Sequence, residues 1–334
     1  MSNQTLTVNM ISETEFGRQT TGVHTAYLNM VKMLRKKGVE VRVNSKEKAD
    51  ITHLQTAGWY SLRKLLANRP TVVSAHVVPQ SFIGSLVGAK YWYWEAKTYL
   101  SFFYNRANLV LAVAPKVEDQ LREVGVKSRI EVFPNPVDHK VFRKDNQLRR
   151  QARDKFGISE KIKVVLSVGQ QQPRKGIEDF WHLAKEFPKL EFVWVGGRPF
   201  GKIAADNQKI EQLLANKPEN VKVIESVTYG EMDLIYNLAD IFFLPSYQEN
   251  APMAVIEAAA CSLPLLLRDL EEYRLLYGAG YLKGESETFN KLISRLSEDQ
   301  DFYLQSSKEA LALSQKFSFE ILGNKLINFY KELL

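Results

Sequence analysis

Short apolar runs alternate with amphipathic or polar stretches along the whole chain, and this alternation constrains the fold more than any other feature. Residues 23–37 have the apolar period of an amphipathic helix, and helical sequence also follows from about residue 286. The runs typical of strands are, in order, TLTVNMI, VEVRV, ADITHLQ, PTVVSAHVV, LVLAVA, RIEVFPNPVD, KVVLSVG, LEFVWVGG, VKVIES, IFFLPS and LPLLL. Strands that alternate with helices predict parallel βαβ units, so we expect an α/β protein with doubly wound sheets.

The polar and basic stretch 143–161 divides these runs into two series. It is typical of a linker or of a solvated helix between domains. We therefore predict two Rossmann-like domains, over residues 1–150 and 151–334, with the last helix available to pack back on the first domain. In such sheets ligands bind at the carboxyl ends of the strands.

The excess of positive charge lies in the first half of the chain. Residues 1–150 carry 23 Lys and Arg against 12 Asp and Glu, whereas residues 151–334 carry 22 against 26. This asymmetry predicts that the first domain faces an anionic partner. The sequence shows no zinc-finger spacing, RNP-like motif or basic heptad region, so we expect an acidic lipid surface and no nucleic acid.

The single cysteine, Cys261, excludes a disulfide framework and a cysteine-based zinc site. The start MSNQTLTVNMI lacks the pattern of a signal peptide, and no run reaches the roughly 18 apolar residues of a spanning helix. We expect a cytoplasmic protein that associates peripherally with the inner face of the cell membrane.

The stretch ENAPMAVIE places two glutamates around the start of a nearly apolar helix. Pro252 suits the first helical turn, so Glu249 lies just before the helix and Glu257 about a turn and a half inside it. At about 1.5 Å per residue their carboxylates lie on the order of 10 Å apart along the axis, too far for a shared metal or an acid–base pair. The helix N-terminus between them attracts phosphate. An elongated nucleotide-diphosphate sugar fits this pattern, but so do an electrostatic cap at Glu249 and a salt bridge at Glu257.

The spacing of ENAPMAVIE, the loop SVGQQQPRKG and the two predicted domains together resemble the retaining glycosyltransferases of family 4. The resemblance implies the GT-B fold, in which two Rossmann-like domains face each other across a cleft. In that family the first glutamate contacts the transferred sugar and the last holds the ribose hydroxyls, roles that fall on Glu249 and Glu257. Asn250, Ala251 and Pro252, at the helix start between them, complete this part of the substrate-binding set.

The phosphate loop departs from the family pattern. The family has Gly-Arg followed by Lys-Gly five residues later, whereas here Gln170 follows Gly169, and Lys175 and Gly176 are kept. Lys175 is therefore implied to neutralise the departing diphosphate. Arg174 is the candidate to supply the charge of the missing arginine. Alternatively, it is a solvated charge at the start of the helix.

Two further positions match the family. His76, at the end of the strand run VVSAHVVP, corresponds to the histidine that faces the sugar, and Gly22 in TTGVHTAY remains from a Gly-Gly loop near the diphosphate. Gly196 in VWVGGRPFG is expected near the nucleotide base. That glycine loop does not satisfy the G-x-G-x-x-G fingerprint, which argues against a dinucleotide oxidoreductase.

Aromatic residues beside cations predict a membrane-facing side of the first domain. The stretches 58–69 and 91–106 both mix the two, as helices among anionic headgroups do, although the same aromatics also suit a domain core. The predicted membrane residues are Trp59, Arg63, Lys64, Arg69, Trp92 and Trp94.

The chain looks like bacterial glycosyltransferases that build glycosyldiacylglycerols. This implies transfer of glucose or galactose from a UDP-sugar to a lipid acceptor, such as diacylglycerol or monoglycosyldiacylglycerol, with retention at the anomeric carbon. No metal or other cofactor is expected, and the catalytic residues are predicted to be His76, Lys175 and Glu249. The alternatives are a glycosyltransferase of cell-surface polysaccharide synthesis and a non-catalytic membrane-surface protein.

Overall fold

The protein is described from a computed structural model that covers residues 5–17, 22–79, 93–198, 207–225 and 227–334. Contacts between residues divide the chain into two compact units. Unit 1 comprises Met1–Asp138 and Phe317–Leu334, and unit 2 comprises His139–Lys316. Counted by unit, unit 1 carries 20 Lys and Arg against 13 Asp and Glu, and unit 2 carries 25 against 25. The whole net charge of +7 therefore lies in unit 1.

The described part of unit 1 contains a six-stranded parallel sheet. Its strands are β1 (Thr7–Ile11), β2 (Glu40–Val43), β3 (Ile51–Leu54), β4 (Thr71–Ala75), β5 (Leu109–Ala112) and β6 (Ile130–Val132), paired in the order β2-β1-β3-β4-β5-β6. The helices between them are α1 (Gly22–Lys36), α2 (Trp59–Ala67), α3 (Tyr93–Asn105) and α4 (Pro115–Glu123), with a 3₁₀ helix at Glu13–Phe16. Strands β3, β4 and β5 are buried along their whole length, as central strands of a sheet covered on both faces are.

Unit 2 contains a second six-stranded parallel sheet among its described residues. Its strands are β7 (Val164–Val168), β8 (Glu191–Val195), β9 (Val221–Ile224), β10 (Ile241–Leu244), β11 (Leu265–Arg268) and β12 (Leu282–Gly284), paired in the order β12-β11-β10-β7-β8-β9. Its helices are α5 (Asn146–Phe156), α6 (Ile177–Glu186), α7 (Asn207–Ala215), α8 (Met232–Leu238), α9 (Met253–Ala260), α10 (Glu271–Tyr277), α11 (Phe289–Glu298) and α12 (Gln300–Gln315), with 3₁₀ helices at Pro173–Lys175 and Tyr229–Glu231.

Aromatic side chains fill the core between α6 and the sheet of unit 2. The ring of Phe180 lies 5.2 Å from Phe192 and 5.3 Å from Trp194, both edge to face, and 6.0 Å from Phe243 in a stacked arrangement. Such pairs each contribute about 0.5–1.5 kcal/mol beyond the burial of their area. They hold α6, and the loop that precedes it, against β7, β8 and β10.

The stretch 143–161, expected to be a linker or a solvated helix, forms α5 of unit 2 with one face buried against α8. Arg153 is 1% exposed and donates hydrogen bonds to the carbonyl oxygens of Leu238, Ser159 and Ile162 and to the carboxylate of Asp240. A guanidinium with this many acceptors can be buried at modest cost. The sequence alone could not show that Arg153 has these partners.

The last helix, α13 (Phe319–Lys331), belongs to unit 1 and contacts α1. Leu326 and Tyr330 on α13 are fully buried, and the Tyr330 hydroxyl lies 2.6 Å from Nδ1 of His53. Within the ranges that the structure describes, no helix has both the length and the apolar character needed to span a bilayer.

Candidate active site

Two loops of unit 2 meet at Gly176. This residue has a φ of +74°, and a Cβ there would lie 2.3 Å from the carbonyl oxygen of Pro245. Only glycine therefore allows this close approach. The backbone N–H of Tyr247 also donates to the carbonyl oxygen of Arg174 at 2.8 Å. The loop after β7 is thus fixed against the segment that carries Glu249.

Lys175 and Glu249 form a buried ion pair between these loops. Lys175 is 9% exposed and Glu249 is 8% exposed. Burial lowers the pKa of Lys175, and the Glu249 carboxylate opposes that shift only in part. Burial also acts to raise the pKa of Glu249, but the nearby charges of Lys175 and Arg174 outweigh it and hold that pKa below its ordinary value. Glu249 is therefore an ionised, desolvated acceptor.

Arg174 faces the same carboxylate as its neighbour Lys175. Its Nη1 lies 4.0 Å from Oε2 of Glu249 and donates to the carbonyl oxygen of Gln248 at 3.2 Å. Its Nε donates to Oε1 of Gln172 at 2.9 Å, and one quarter of the side chain is exposed. The structure therefore places two cations beside Glu249, although the family arginine position is occupied by Gln170.

Glu257 lies inside α9, where 3% of the residue is exposed. The hydroxyl of Tyr236 on α8 donates to its Oε2 at 2.6 Å, whereas Oε1 is buried and has no hydrogen-bond partner among the described residues. Burial raises the pKa of Glu257 to about 7, against the opposing effect of the Tyr236 hydrogen bond. No salt bridge to Glu257 occurs in the described part of the chain. An unpaired buried carboxylate oxygen is costly and suits a ligand that brings hydroxyl donors.

The start of α9 separates the two glutamates. Pro252 is its N-cap residue, and Asn250 and Ala251 precede it in partly buried positions. The proline side chain at the N-cap makes no capping hydrogen bond. The first-turn N–H groups of Met253 and Ala254 have no acceptor within the helix, and they carry its positive dipole end. Anion binding is favoured there.

Gly196, just after β8, adjoins the loop that follows β7. Its φ is +133°, and a Cβ there would lie 2.2 Å from the carbonyl oxygen of Gly169. Gln171 donates from Nε2 to the Gly196 carbonyl oxygen at 2.9 Å, and the Trp194 indole donates to that of Gly169 at 3.0 Å. The loops after β7, β8 and β10 therefore converge at the carboxyl edge of the sheet.

The two substrate-site residues predicted in unit 1 are His76 and Gly22, and their surroundings differ. His76 follows β4, and its Nε2 lies 3.0 Å from Oε1 of Gln55. Burial lowers the pKa of His76 to about 4. Gly22 is the exposed first residue of α1, and a Cβ there would meet no atom of the described residues within 4 Å. His76 is therefore held in place by a neighbour, whereas close packing against the described part of the chain does not require glycine at position 22.

The predicted membrane residues also differ in their surroundings. Trp59 is 79% exposed and Trp94 is 69% exposed, and Arg63 is exposed on α2. Lys64 is partly buried and donates to the carbonyl oxygen of Ser45 at 2.6 Å. Arg69 is exposed but donates to Oδ1 of Asn108 at 2.9 Å and to the carbonyl oxygen of Arg106. Trp92 lies outside the described residues.

Residues on α3 and just after it extend this surface. The Lys97 ammonium lies 5.0 Å from the Trp94 ring, and the Arg106 guanidinium lies 5.0 Å from the exposed ring of Phe102. The opposite side of α3 buries Leu100, Phe103 and Tyr104, so the segment supplies both core and surface. Since the Trp59 and Tyr99 rings are 6.4 Å apart, α2 and α3 adjoin. We call Trp59, Arg63, Trp94, Lys97, Phe102 and Arg106 the aromatic–cation surface.

Sequence reasoning did not single out Tyr236, Lys97 or Phe102, although Lys97 and Phe102 lie in the predicted stretch 91–106. The α3 pairs do have a sequence signal, because spacings of three and four residues bring side chains together on a helix. Tyr236 has none, because its contact depends on how α8 packs beside α9. No group of three or more His, Cys, Asp or Glu side chains placed to hold a metal ion was found within the described ranges.

The two parallel sheets and the site at the carboxyl edge of the second define a glycosyltransferase of the GT-B fold. Residues 42–141 match the family Glycosyltransferase Family 4, and residues 149–313 match Glycosyl transferases group 1. The chain belongs to this glycosyltransferase family, together with bacterial glycosyldiacylglycerol synthases that it resembles along nearly its whole length. It is therefore an enzyme and not the non-catalytic protein considered as an alternative.

Two relatives illustrate the likeness. The chain is 30% identical over 343 aligned positions to alpha-galactosylglucosyldiacylglycerol synthase of Streptococcus pneumoniae, covering 99% of this chain and 91% of the relative. It is 27% identical to the processive diacylglycerol alpha-glucosyltransferase of Acholeplasma laidlawii, covering 94% of each.

Solved structures share the fold at lower identity. Sucrose-phosphate synthase of Thermosynechococcus elongatus has a TM-score of 0.80 at 16% identity, over 98% of this chain and 99% of that one. The Anabaena HepE protein, in complex with UDP and glucose, has a TM-score of 0.78 at 15% identity, over 98% and 100%.

Proposed function

We propose that this enzyme transfers glucose or galactose from a UDP-sugar to a lipid acceptor, diacylglycerol or monoglycosyldiacylglycerol, with retention at the anomeric carbon. One observation carries the assignment of the donor. Glu249 is paired with two cations, and the start of α9 separates it from Glu257, which has an unpaired carboxylate oxygen. The acceptor half is supported by the relatives, whose names are those of glycosyldiacylglycerol synthases.

Each part of the donor is assigned to one group of residues in unit 2. Glu257 accepts hydrogen bonds from the ribose hydroxyls, and the Gly196 loop lies at the base. The start of α9, Lys175 and Arg174 receive the diphosphate, while the ionised Glu249 accepts from a hydroxyl of the sugar. The solved HepE structures contain UDP, glucose or UDP-glucose, which supports a uridine nucleotide as the donor.

In the proposed reaction the bond between the anomeric carbon and the β-phosphate oxygen breaks, and a bond to the acceptor oxygen forms on the same face. The departing phosphate oxygen takes the proton of the acceptor hydroxyl, so the products are UDP and an α-glycosyl lipid. Negative charge grows on the diphosphate and positive charge on the sugar. Lys175, Arg174 and the helix dipole stabilise the first, and Glu249 stabilises the second, in a site arranged before the reaction begins. The proposal uses no metal.

The lipid acceptor requires access to a membrane, and unit 1 offers the aromatic–cation surface for it. Exposed Trp and Phe rings suit the headgroup region, and each Lys or Arg near an anionic surface contributes about 1 kcal/mol. The whole net charge of +7 lies in this unit. We therefore assign the enzyme a peripheral position on the cytoplasmic face of the membrane.

A substrate panel tests the proposal. The purified full chain is incubated with UDP-glucose, UDP-galactose and their ADP and GDP counterparts, and with anionic vesicles containing either lipid acceptor or with soluble oligosaccharides. Mass spectrometry should find a hexosyl lipid formed from a UDP-sugar, and a chelator should not change its yield. Transfer only to oligosaccharides would instead support the polysaccharide alternative.

A further inference from the structure

A chain of buried polar side chains leads from His76 into the core of unit 1. Nε2 of His76 lies 3.0 Å from Oε1 of Gln55 at the end of β3, and Nε2 of Gln55 lies 3.2 Å from the hydroxyl of Ser74 on β4. That hydroxyl is 2.9 Å from Nε2 of His53, whose Nδ1 is 2.6 Å from the hydroxyl of Tyr330 on α13. Gln55, His53 and Tyr330 are each at most 1% exposed, so water does not supply alternative partners.

The surroundings of Gln55 fix which way its amide points. Its amide nitrogen lies near four groups that can accept: the Ser74 hydroxyl at 3.2 Å, the sulfur atoms of Met10 and Met30 at 3.4 and 3.2 Å, and Nε2 of His53 at 3.1 Å. Thioether sulfur accepts hydrogen bonds but cannot donate them. A flipped amide would place the carbonyl oxygen against two sulfur lone pairs and leave the N–H₂ group buried against His76. The observed orientation therefore turns Oε1 toward His76.

This orientation determines the proton on His76. The amide oxygen of Gln55 is an acceptor only, so the nearby Nε2 of His76 must carry the hydrogen. In the neutral ring the other nitrogen, Nδ1, then holds the lone pair. The two ring nitrogens of a histidine are distinct in this way, and the partner of one sets the role of the other.

We propose that Gln55 is a positioning residue that holds His76 in its Nε2–H tautomer, so that Nδ1 accepts a hydrogen bond from a hydroxyl of the transferred sugar. The sugar contact rests on the proposed function and on the family position of His76, whereas the tautomer rests on neither. No resemblance assigns Gln55 a role, and the residue touches the reaction only through His76.

The rest of the chain anchors Gln55. His53 is fully buried, and burial lowers its pKa to about 3, so its ring is neutral and has one donor and one acceptor nitrogen. Nε2 of His53 faces the amide nitrogen of Gln55 at 3.1 Å and therefore accepts, so Nδ1 carries the hydrogen and donates to the Tyr330 hydroxyl. The Ser74 hydroxyl, 2.9 Å from Nε2, can donate to the same nitrogen. Tyr330 thereby ties the last helix to the network that ends at His76.

Nitrogen NMR tests the tautomer directly. Long-range ¹H–¹⁵N correlation spectra of the ¹⁵N-labelled full chain at pH 7.5, assigned with His76→Gln, should show the Nε2–H tautomer for His76. Gln55→Met keeps the side-chain length but removes the acceptor, and should give a mixture of tautomers. Gln55→Glu keeps an acceptor and should retain Nε2–H. An Nδ1–H tautomer in the parent, or an unchanged spectrum in Gln55→Met, overturns the proposal.

Kinetics separate this inference from the proposed function. Gln55→Met should lower kcat/KM for the UDP-sugar about 3- to 10-fold, the loss of one hydrogen bond, and leave the affinity for UDP unchanged because UDP lacks the sugar. Gln55→Glu should recover most of the loss. If the tautomer shifts in Gln55→Met without any kinetic effect, the sugar-facing role of His76 fails and the tautomer assignment stands. Equal losses for UDP and UDP-sugar would indicate a merely structural role and overturn the positioning one.

Discussion

The ammonium of Lys175 and the carboxylate of Glu249 form a buried ion pair, although 74 residues separate them in the chain. The pair depends on the sheet, because β7 and β10 are neighbours and the loops that follow them meet at Gly176. Removal of either partner leaves a buried charge, which costs about 3–5 kcal/mol. Stability and activity are therefore coupled at this site.

Glu249→Gln should lower turnover strongly and change donor affinity little, because in the proposed reaction the carboxylate acts on the sugar as charge develops. The free energy of unfolding should also fall by about 3–5 kcal/mol, since Lys175 loses its partner. Single-turnover rates, UDP-sugar titration and denaturant unfolding measure the three quantities. The control is Lys155→Gln, which breaks an exposed pair with Glu231 and should change stability by at most about 1 kcal/mol. A normal turnover in Glu249→Gln would remove Glu249 from the catalytic set.

Donor affinity should rise as the pH increases through about 7, because the Glu257 carboxylate accepts ribose hydroxyls better once it is ionised. Glu257→Gln should bind the UDP-sugar more weakly, by about 1.5–3 kcal/mol, and without this pH dependence. Calorimetric titration between pH 6 and 8.5 tests both statements. A parallel pH dependence in the parent and Glu257→Gln would contradict the assignment.

The same group makes stability depend on pH. The folded pKa of about 7 lies above the unfolded value of 4.5, so the folded state binds more protons between these two values and the parent loses stability as the pH rises through that range. Glu257→Gln should therefore be more stable than the parent at pH 8, by up to about 3 kcal/mol, and equal to it below pH 4.5. Denaturant unfolding at both pH values measures the difference, and a variant less stable than the parent at pH 8 would refute it.

Arg174→Ala should weaken UDP binding and leave uridine binding unchanged, because the proposed donor site places the guanidinium at the diphosphate. A charge-assisted hydrogen bond contributes about 1.5–3 kcal/mol, equivalent to roughly 10- to 150-fold in affinity. The matched control is Gln170→Ala, at the position where the family has arginine, which should bind UDP nearly as the parent does. If the two variants have equal affinity for UDP, Lys175 and the start of α9 are sufficient.

Trp59→Ala with Arg63→Gln should weaken binding to anionic vesicles and leave UDP binding intact. The loss of one cation contributes about 1 kcal/mol, and screening at high salt should reduce it. Lys64 and Arg69 are left unchanged because both donate to backbone or side-chain acceptors within unit 1. The control is Leu304→Ala with Lys308→Gln, an exposed apolar and basic pair on α12 of unit 2. Equal co-sedimentation of both double variants would contradict the surface assignment.

Local sequence patterns predicted the elements well. Each of the eleven apolar runs overlaps one of the strands β1 to β11, and the predicted helix at 23–37 corresponds to α1, Gly22–Lys36. Strand β12 was missed because its three residues, Leu-Lys-Gly, form no apolar run. The spacing of Glu249 and Glu257 around a helix start is also local, so the sequence contained it.

Contacts between distant elements were not predictable in the same way. The Lys175–Glu249 pair requires the strand order β10-β7, and the Tyr236–Glu257 hydrogen bond requires α8 to lie beside α9. The polarity of a stretch can also predict the wrong exposure. The basic stretch around Arg153 predicts an exposed side chain, but the residue is buried because carbonyl oxygens accept hydrogen bonds from its guanidinium. Such contacts depend on the tertiary arrangement and not on the neighbouring sequence.

The configuration of the first product tests the central claim most directly. The full chain is mixed with anionic vesicles containing diacylglycerol or monoglycosyldiacylglycerol and with the UDP-sugar that the panel selects, and the glycolipid is followed by ¹H NMR as it forms. We predict a single hexosyl lipid with the α configuration of the donor, together with one UDP for each sugar transferred. A β-linked product, or release of UDP without any glycolipid, would contradict the account.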